Sequence, residues 1–262
     1  MRRGAHRLEA ALLVLAALSS LLVLFLALPI AALYLKVDPH VASRLLGGPL
    51  RGEVVSAFKV SLLASAAALS GLLVLGIPLA YTLARLDFPG KRLVEALVDI
   101  PLALPHTVAG IMILEAYGSR GLLGGGLSRL GLVLEDHFLG VVAVMAFVSA
   151  PLLVDTVKVG FQSIPESLEA VARTLGASRL RAFLDISLPL ALRSIAAGSL
   201  LAWARGLSEV GALLVVAYYP KTVNILILEY LSIYGLPYAA ALAAIYAALA
   251  LGVFTALRVL VS

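Results

Sequence analysis

Cysteine is absent from this 262-residue chain, glutamine and asparagine occur once each (Gln162 and Asn224), and only 13% of residues are charged. Without cysteine there is no disulfide framework and no thiolate metal site. So little charge excludes an ordinary soluble domain, in which about a quarter of the residues are charged. No glycine-rich phosphate loop of the form GxxxxGK(S/T) occurs, so ATP is not bound by that route. HExxH and GxSxG are also missing, and His6, His40, His106 and His137 show no metal-ligand spacing. An intramembrane enzyme therefore has little to stand on.

What is present is apolar. Hydrophobic residues make up 62% of the chain and the mean hydropathy is +1.06. Backbone that crosses a bilayer must satisfy its own hydrogen bonds, and here the helix is the way to do it. The expectation is an all-α membrane protein. A crossing needs about 20 apolar residues. Six runs meet that need: 8–35, 54–84, 93–117, 138–161, 190–218 and 237–261. The second is long enough to tilt or to extend beyond the bilayer. The first follows Arg2, Arg3 and Arg7 but is too long for the apolar core of a cleaved leader, so a retained helix is expected. Residues 1–262 read as a single transmembrane domain with no separate soluble unit.

The net charge of +5 would suggest nucleic acid in a soluble protein. Here it reads as loop charge that sets topology, and no nucleic acid is expected. With the N-terminus inside, the inner loops and helix ends hold 12 Lys and Arg residues, among them Arg85, Lys91, Arg92, Lys158, Arg173, Arg179 and Arg181. The outer ones hold seven: Lys36, Arg44, Arg51, Lys59, Arg120, Arg129 and Lys221. Both termini are therefore expected in the cytoplasm. The loop 118–137 then faces outward. It is rich in glycine, and reads equally as a flexible connector or as a segment that carries a short helix or touches an external partner.

A polar island, 164–189, interrupts the apolar runs on the inner side. Pro165 can open a helix, because its missing N–H is not needed there. Glu166 and Glu169 fall in the first turn, where the positive end of the helix favours carboxylates. Val171, Ala172 and Leu175 share one side while Arg173 and the acids take another. Gly176 permits a turn with positive φ. A second short helix is expected from about Ser178, and Pro189 is expected to start the next span. On residues alone this is an amphipathic helix, a bend and a return to the membrane, which serves either an interfacial loop or a docking element.

Its spacing is more specific. Glu169-Ala170 is followed by Gly176 seven residues after the glutamate, then nine residues, Ile186, one residue and Leu188-Pro189. The pattern resembles the cytoplasmic loop by which permease subunits of ABC importers grip their ATPase. Where the family form has two alanines directly after the glutamate, this chain reads Glu169-Ala170-Val171-Ala172. The resemblance implies a coupling loop at about 161–188, with Glu166, Glu169, Ala170, Ala172, Arg173, Leu175, Gly176 and Ala177 meeting the ATPase.

Ionisable residues inside a span are costly and mark candidate function. Arg205 and Glu209, one helical turn apart in the fifth run, can pair. They either neutralise each other at a helix contact or shape a translocation pathway. Ser208, Gly206 and Gly211 would permit close helix approach. In the third run, Pro101 and Pro105 kink the helix just before His106, and a broken helix at membrane depth is tolerated where it is buried or lines a cavity. Pro101, Pro105, His106, Arg205, Ser208 and Glu209 are the candidate pathway or gate residues. The runs Ser208-Glu209-Val210-Gly211-Ala212 and Tyr218-Tyr219-Pro220-Lys221-Thr222, with 99–107 and 117–123, resemble the permeases of archaeal molybdate/tungstate importers, of which sulfate permeases are near relatives. The likeness covers most of the chain from about Phe58.

That resemblance implies the type I architecture of ABC importer permeases: six transmembrane helices, in a homodimer around one pathway for molybdate or tungstate. It also implies two ATPase subunits below, which hold ATP and Mg, and an external substrate-binding protein. Apart from membrane lipid, nothing else is expected on this chain; it binds no cofactor and no metal and catalyses no reaction. The alternatives are a permease for sulfate or another small anion, and a secondary transporter. The latter would usually show internal repeats, and halves 1–130 and 131–262 show none.

Overall fold

The computed structural model describes the backbone of residues 2–261 and the surroundings of side chains 12–255. Helices account for most of it, and no strand occurs among the described residues. Helix α1 (Arg2–Leu35) is apolar on every side from Leu12 onward, with Leu13 71% and Phe25 70% exposed, and among the described residues it packs on the last helix. A helix that is hydrophobic all round belongs in lipid or against other apolar helices. Helix α2 (Pro39–Gly47) starts where Asp38 accepts a hydrogen bond from the His40 N–H at 2.8 Å, with Pro39 in the first turn.

Helix α3 (Arg51–Arg85) has 35 residues. At about 1.5 Å per residue it exceeds the roughly 30 Å hydrocarbon layer. Ala57, Ser61, Ala64, Ser65 and Ala68 are buried along it at helical spacing. Small residues there let α7 (Phe138–Gln162) approach closely. Between them lie α4 (Lys91–Ala103), α5 (His106–Tyr117) and α6 (Gly124–Arg129). After α7 come α8 (Glu166–Thr174), α9 (Arg179–Ala182), a π-helical turn (Phe183–Ser187) and α10 (Leu188–Leu190). Helices α11 (Leu192–Leu207), α12 (Gly211–Val216), α13 (Val223–Tyr234) and α14 (Leu236–Val261) complete the chain.

Helices α3, α7 and α11 pack together at the centre. Three apolar clusters stack along them. One joins α3, α5, α7 and α12 around Val144, Met145 and Leu213. The second joins the far ends of α3 and α7 to α11 around Leu83, Leu153 and Phe161. The third joins α2 and the start of α3 to α13 and α14 around Leu45, Leu226 and Leu242.

Four helices among the described residues are long and apolar enough to cross a membrane: Leu12–Leu35, Arg51–Arg85, Phe138–Gln162 and Leu236–Thr255. A fifth crossing can be made by the bent pair Arg179–Leu190 and Leu192–Leu207, which meet at 69°. The chain is thus a multi-pass membrane protein. The third expected span, 93–117, is two helices. Leu104 is extended (φ −91°, ψ 144°), as a residue before proline tends to be, and Pro105 caps α5. Pro101 stays inside α4 without ending it. The fifth expected span does not start at Pro189 or run unbroken to 218. Its helix bends at Ala191 and stops at Leu207.

Candidate functional site

Two arrangements gather the residues singled out by sequence. The first is the polar loop. Pro165 (φ −57°, ψ 127°) caps α8, so the helix starts at Glu166 and carries both acids in its first turn. At its other end Gly176 takes φ 95°. The Gly176 N–H donates to the Arg173 carbonyl at 3.0 Å and the Ala177 N–H to the Ala172 carbonyl at 3.0 Å. That pair of bonds is the Schellman closure of a helix, which needs a left-handed residue and favours glycine. Ser178 then caps α9, its hydroxyl accepting from the Arg181 N–H at 3.2 Å.

The two faces of α8 differ. Leu168, Val171 and Leu175 are 42%, 59% and 83% exposed, and Leu180 of α9 continues the apolar patch. Ala170, Arg173 and Gly176 are exposed beside them, while Ala172 and Ala177 are half-buried. Glu166 is exposed. Glu169 instead turns inward, with its side chain 13% exposed. Its Oε2 accepts from the Tyr81 hydroxyl at 2.8 Å, and its Oε1 from Arg85 Nε at 3.0 Å and from the Ser187 hydroxyl. Burial opposes ionisation of Glu169, but the bonds from Ser187, Tyr81 and Arg85 outweigh it and hold the carboxyl below its ordinary value. Arg85 also donates to the Ile164 carbonyl at 2.9 Å. Tyr81 packs edge-on against Phe161 and Phe183. Beside this network a cavity of about 530 Å³ opens between α3 and the loop, lined by Arg85, Glu166, Arg173 and Arg179 among others.

The second arrangement is a broken helix. Between α11 and α12 the chain passes through Ser208, Glu209 and Val210. Freed backbone groups find tertiary partners: the Leu207 carbonyl accepts from Asn224 Nδ2 at 2.7 Å and from the Tyr246 hydroxyl at 2.7 Å. Glu209 is fully buried. Its Oε1 accepts from the Ala212 N–H at 2.9 Å, which caps α12. Its Oε2 meets Arg205 at 2.9 Å and His106 Nδ1 at 2.7 Å. Arg205 also reaches His106 Nε2 at 3.3 Å. A neutral imidazole with its proton on Nδ1 satisfies both contacts, donating to Glu209 and accepting from Arg205. The guanidinium and carboxylate cancel, so the buried charge is paired.

Pro105 places His106 here by breaking the third run. Close packing does the rest, since a Cβ added at Gly211 would lie 2.6 Å from the His106 Cβ. Ser208, a candidate from sequence, donates locally to the Arg205 carbonyl at 3.0 Å and adds nothing to the cluster. Pro101 lies back in α4.

Several participants were not legible as such. Tyr81 and Arg85 sit at the end of an ordinary apolar run, and Ser187 carried no mark beyond lying in the loop pattern. Asn224 was the one with a usable sign, being the sole asparagine of the chain. Lys221, read as outer charge and as part of the run 218–222, bridges Glu53 of α3 at 3.0 Å and Glu229 of α13 at 2.8 Å. Tyr230 adds a bond to Glu53 at 3.1 Å.

Residues 73–262 match the family described as binding-protein-dependent transport system inner membrane component. A Thermococcus kodakarensis protein named molybdate/tungstate transport system permease protein WtpB is 47% identical over 257 residues, covering 97% of this chain and 98% of that protein. Its namesake from Pyrococcus abyssi is 44% identical, covering 94% of each. The sulfate transport system permease protein CysT of Salmonella typhimurium is 32% identical, covering 87% of this chain and 84% of that protein. Among solved structures, a bacterial ABC transporter involved in import of the polysaccharide alginate superposes with a TM-score of 0.73 over 100% of this chain and 98% of that one, at 19% identity. The three relatives matched by sequence are each named permease proteins. On this evidence of sequence and shape, the chain belongs to the family of binding-protein-dependent transport system inner membrane components.

Proposed function

We propose that the chain is the transmembrane subunit of an ATP-driven importer and forms the pathway for molybdate or tungstate. The observation that carries this reading is 47% identity, over almost the whole length, to a protein named a molybdate/tungstate permease. The polar loop supports the energy source. Its exposed row of Leu168, Val171 and Leu175, closed by the turn at Gly176, is an unpartnered face of the kind an ATPase would cover. Glu166, Ala170, Ala172, Arg173 and Ala177 flank that row.

Six crossings, by α1, α3, α4 with α5, α7, α11 and α14, with both termini cytoplasmic, fit this function. Arg85 touches Glu169 and Ile164, so the inner end of α3 and the loop share a side. Glu53 at the other end of α3 meets Lys221, consistent with an outer position for residues 217–222. The working unit is two copies of this chain, two ATPase subunits holding ATP and Mg, and an external protein that delivers the oxyanion. ATP closes the ATPase pair, the two loops move together and the pathway opens outward; hydrolysis resets it. The cluster of His106, Arg205 and Glu209, at a helix break next to Pro105, is the gate. Tight recognition stays outside, since a deep site would slow release.

The test is ATP hydrolysis in proteoliposomes containing this chain, its candidate ATPase and its candidate binding protein, with each oxyanion added separately. Stimulation by molybdate or tungstate and not by sulfate is expected. Stimulation by sulfate alone would keep the mechanism and transfer the substrate to the second reading, which the likeness to a sulfate permease favours. An ATPase that never assembles with the chain would overturn the coupling loop and bring a secondary transporter forward.

A further inference from the structure

Glu169 stands in a sequence pattern that resembles a contact with the ATPase, yet its carboxylate faces away from the exposed side of α8. Leu168, Val171 and Leu175 line the exposed side, whereas Glu169 and Ala172, three residues apart, line the other. Three donors converge on this one carboxylate: Tyr81 and Arg85 from the inner end of α3, and Ser187 from the π-helical turn. Ser187 is fully buried and the Arg85 side chain only 7% exposed. Arg85 uses a second nitrogen on the Ile164 carbonyl, so it holds the loop on both sides of Pro165. Tyr81 is wedged between Phe161 at the end of α7 and Phe183 at the start of the π-turn.

Groups that reach into a coupling helix from both directions in this way constrain its position. Charge-assisted hydrogen bonds to one buried carboxylate are the strong kind, and two directions from one guanidinium fix an angle as well as a distance. The helix α8 has nine residues, too few to hold its own orientation by helix propensity alone. Its turn at Gly176 and its cap at Pro165 define its ends but tie it to nothing else.

We infer that Tyr81, Arg85 and Ser187 form a buried clamp on Glu169 that makes α8 and the inner end of α3 move as one body. Glu169 is then a positioning residue and not an ATPase contact. A push on α8 reaches α3 directly. Helix α3 runs uninterrupted to Glu53, whose bonds to Lys221 and Tyr230 tie its far end to the segment after α12. This inference rests on the importer reading only for the source of the push; the clamp itself belongs to the permease alone.

The chain has no cysteine of its own, so Asp87→Cys and Thr174→Cys place two spin labels, at the end of α3 and on α8, without background. In nanodiscs the distance distribution between the labels should be narrow. Glu169→Gln should broaden it, Arg85→Lys should do the same although the charge is kept, and Tyr81→Phe should do so in part. With the ATPase added, Glu169→Gln should keep ATPase affinity within about threefold while oxyanion-stimulated hydrolysis falls by about tenfold or more, the effect of losing one charge-assisted bond. Label distances unchanged in Glu169→Gln and Tyr81→Phe would overturn the clamp. Loss of ATPase binding in Glu169→Gln with unchanged label distances would make Glu169 a direct contact and overturn it too. If the unmutated chain bound no ATPase, the importer reading would fail while the label distances still decided the clamp.

Discussion

Neutralising Glu209 and Arg205 singly and together gives the sharpest test of the broken-helix cluster. Glu209 is fully buried and receives three donors, from Arg205 at 2.9 Å, His106 at 2.7 Å and the Ala212 N–H at 2.9 Å. Arg205→Gln leaves the carboxylate buried without its countercharge. Breaking a buried pair from one side costs about 3–5 kcal/mol. Glu209→Gln strands the guanidinium instead. Arg205 is 20% exposed, so water recovers part of that loss and about 2–3 kcal/mol remains. The double replacement puts two amides in hydrogen-bond reach and leaves no charge. Its cost is that of imperfect neutral bonds, about 1–2 kcal/mol.

The double variant should therefore be more stable than either single one, with a coupling energy of about 5 kcal/mol. In a chain of this size 1 kcal/mol moves the melting temperature by roughly 2 °C, so each single variant should melt roughly 5 °C or more below the parent. Thermal unfolding of the purified permease in one detergent, followed by circular dichroism, reads all four corners of the cycle. Additive losses, with the double variant the least stable, would refute the pairing and with it the account of why the helix break is tolerated.

Three further outcomes follow from single geometries. Gly176→Glu should co-purify poorly with the ATPase while the permease still folds, because φ 95° penalises a side chain but no atom lies within 4 Å of an added Cβ; Gly176→Asn should be tolerated, and equal co-purification of Gly176→Glu and parent would contradict the docking role of the turn. Gly211→Ala drives its methyl to 2.6 Å from the His106 Cβ and should cost about 1–3 kcal/mol as α5 and α12 separate, seen as a lower melting temperature; an unchanged melt would mean that the two helices pack more loosely than the structure requires. Glu169 contributes a pH dependence: its native pKa lies below the ordinary 4.5, so its stabilisation is complete above 4.5 and is lost as pH falls below that through the native value. The melting difference between parent and Glu169→Gln should hold from pH 8 to about 5 and shrink toward zero under acid, and a difference that grew under acid would reverse the sign of the shift.

Most of the fold was legible because bilayer physics leaves few options. Apolar runs of the right length became helices, and of the two prolines read as kinking the third, Pro105 marks its break while Pro101 stays inside α4. The second break carried no such sign. Nothing in Ser208-Glu209-Val210 forbids a helix, and it opens because distant donors, Asn224 and Tyr246, take the Leu207 carbonyl and Glu209 caps the next helix with its own side chain. Local propensity cannot see partners 17 and 39 residues away. The same limit explains the two sites. Spacing one turn apart was enough to pair Arg205 with Glu209, but His106 stands 99 residues from Arg205 and enters only through the packing of α5 on α12. In the polar loop, amphipathic spacing defined α8 and its glycine turn, yet not which face is covered. A carboxylate and an exposed leucine are equally plausible toward a partner until the neighbour is known. Here the neighbour is Arg85 at the end of the long α3, and a cation already buried there makes the inward position the cheaper one for Glu169. On this helix Glu169 is thus turned inward while Leu168, Val171 and Leu175 stay exposed, the reverse of the usual arrangement for a surface helix.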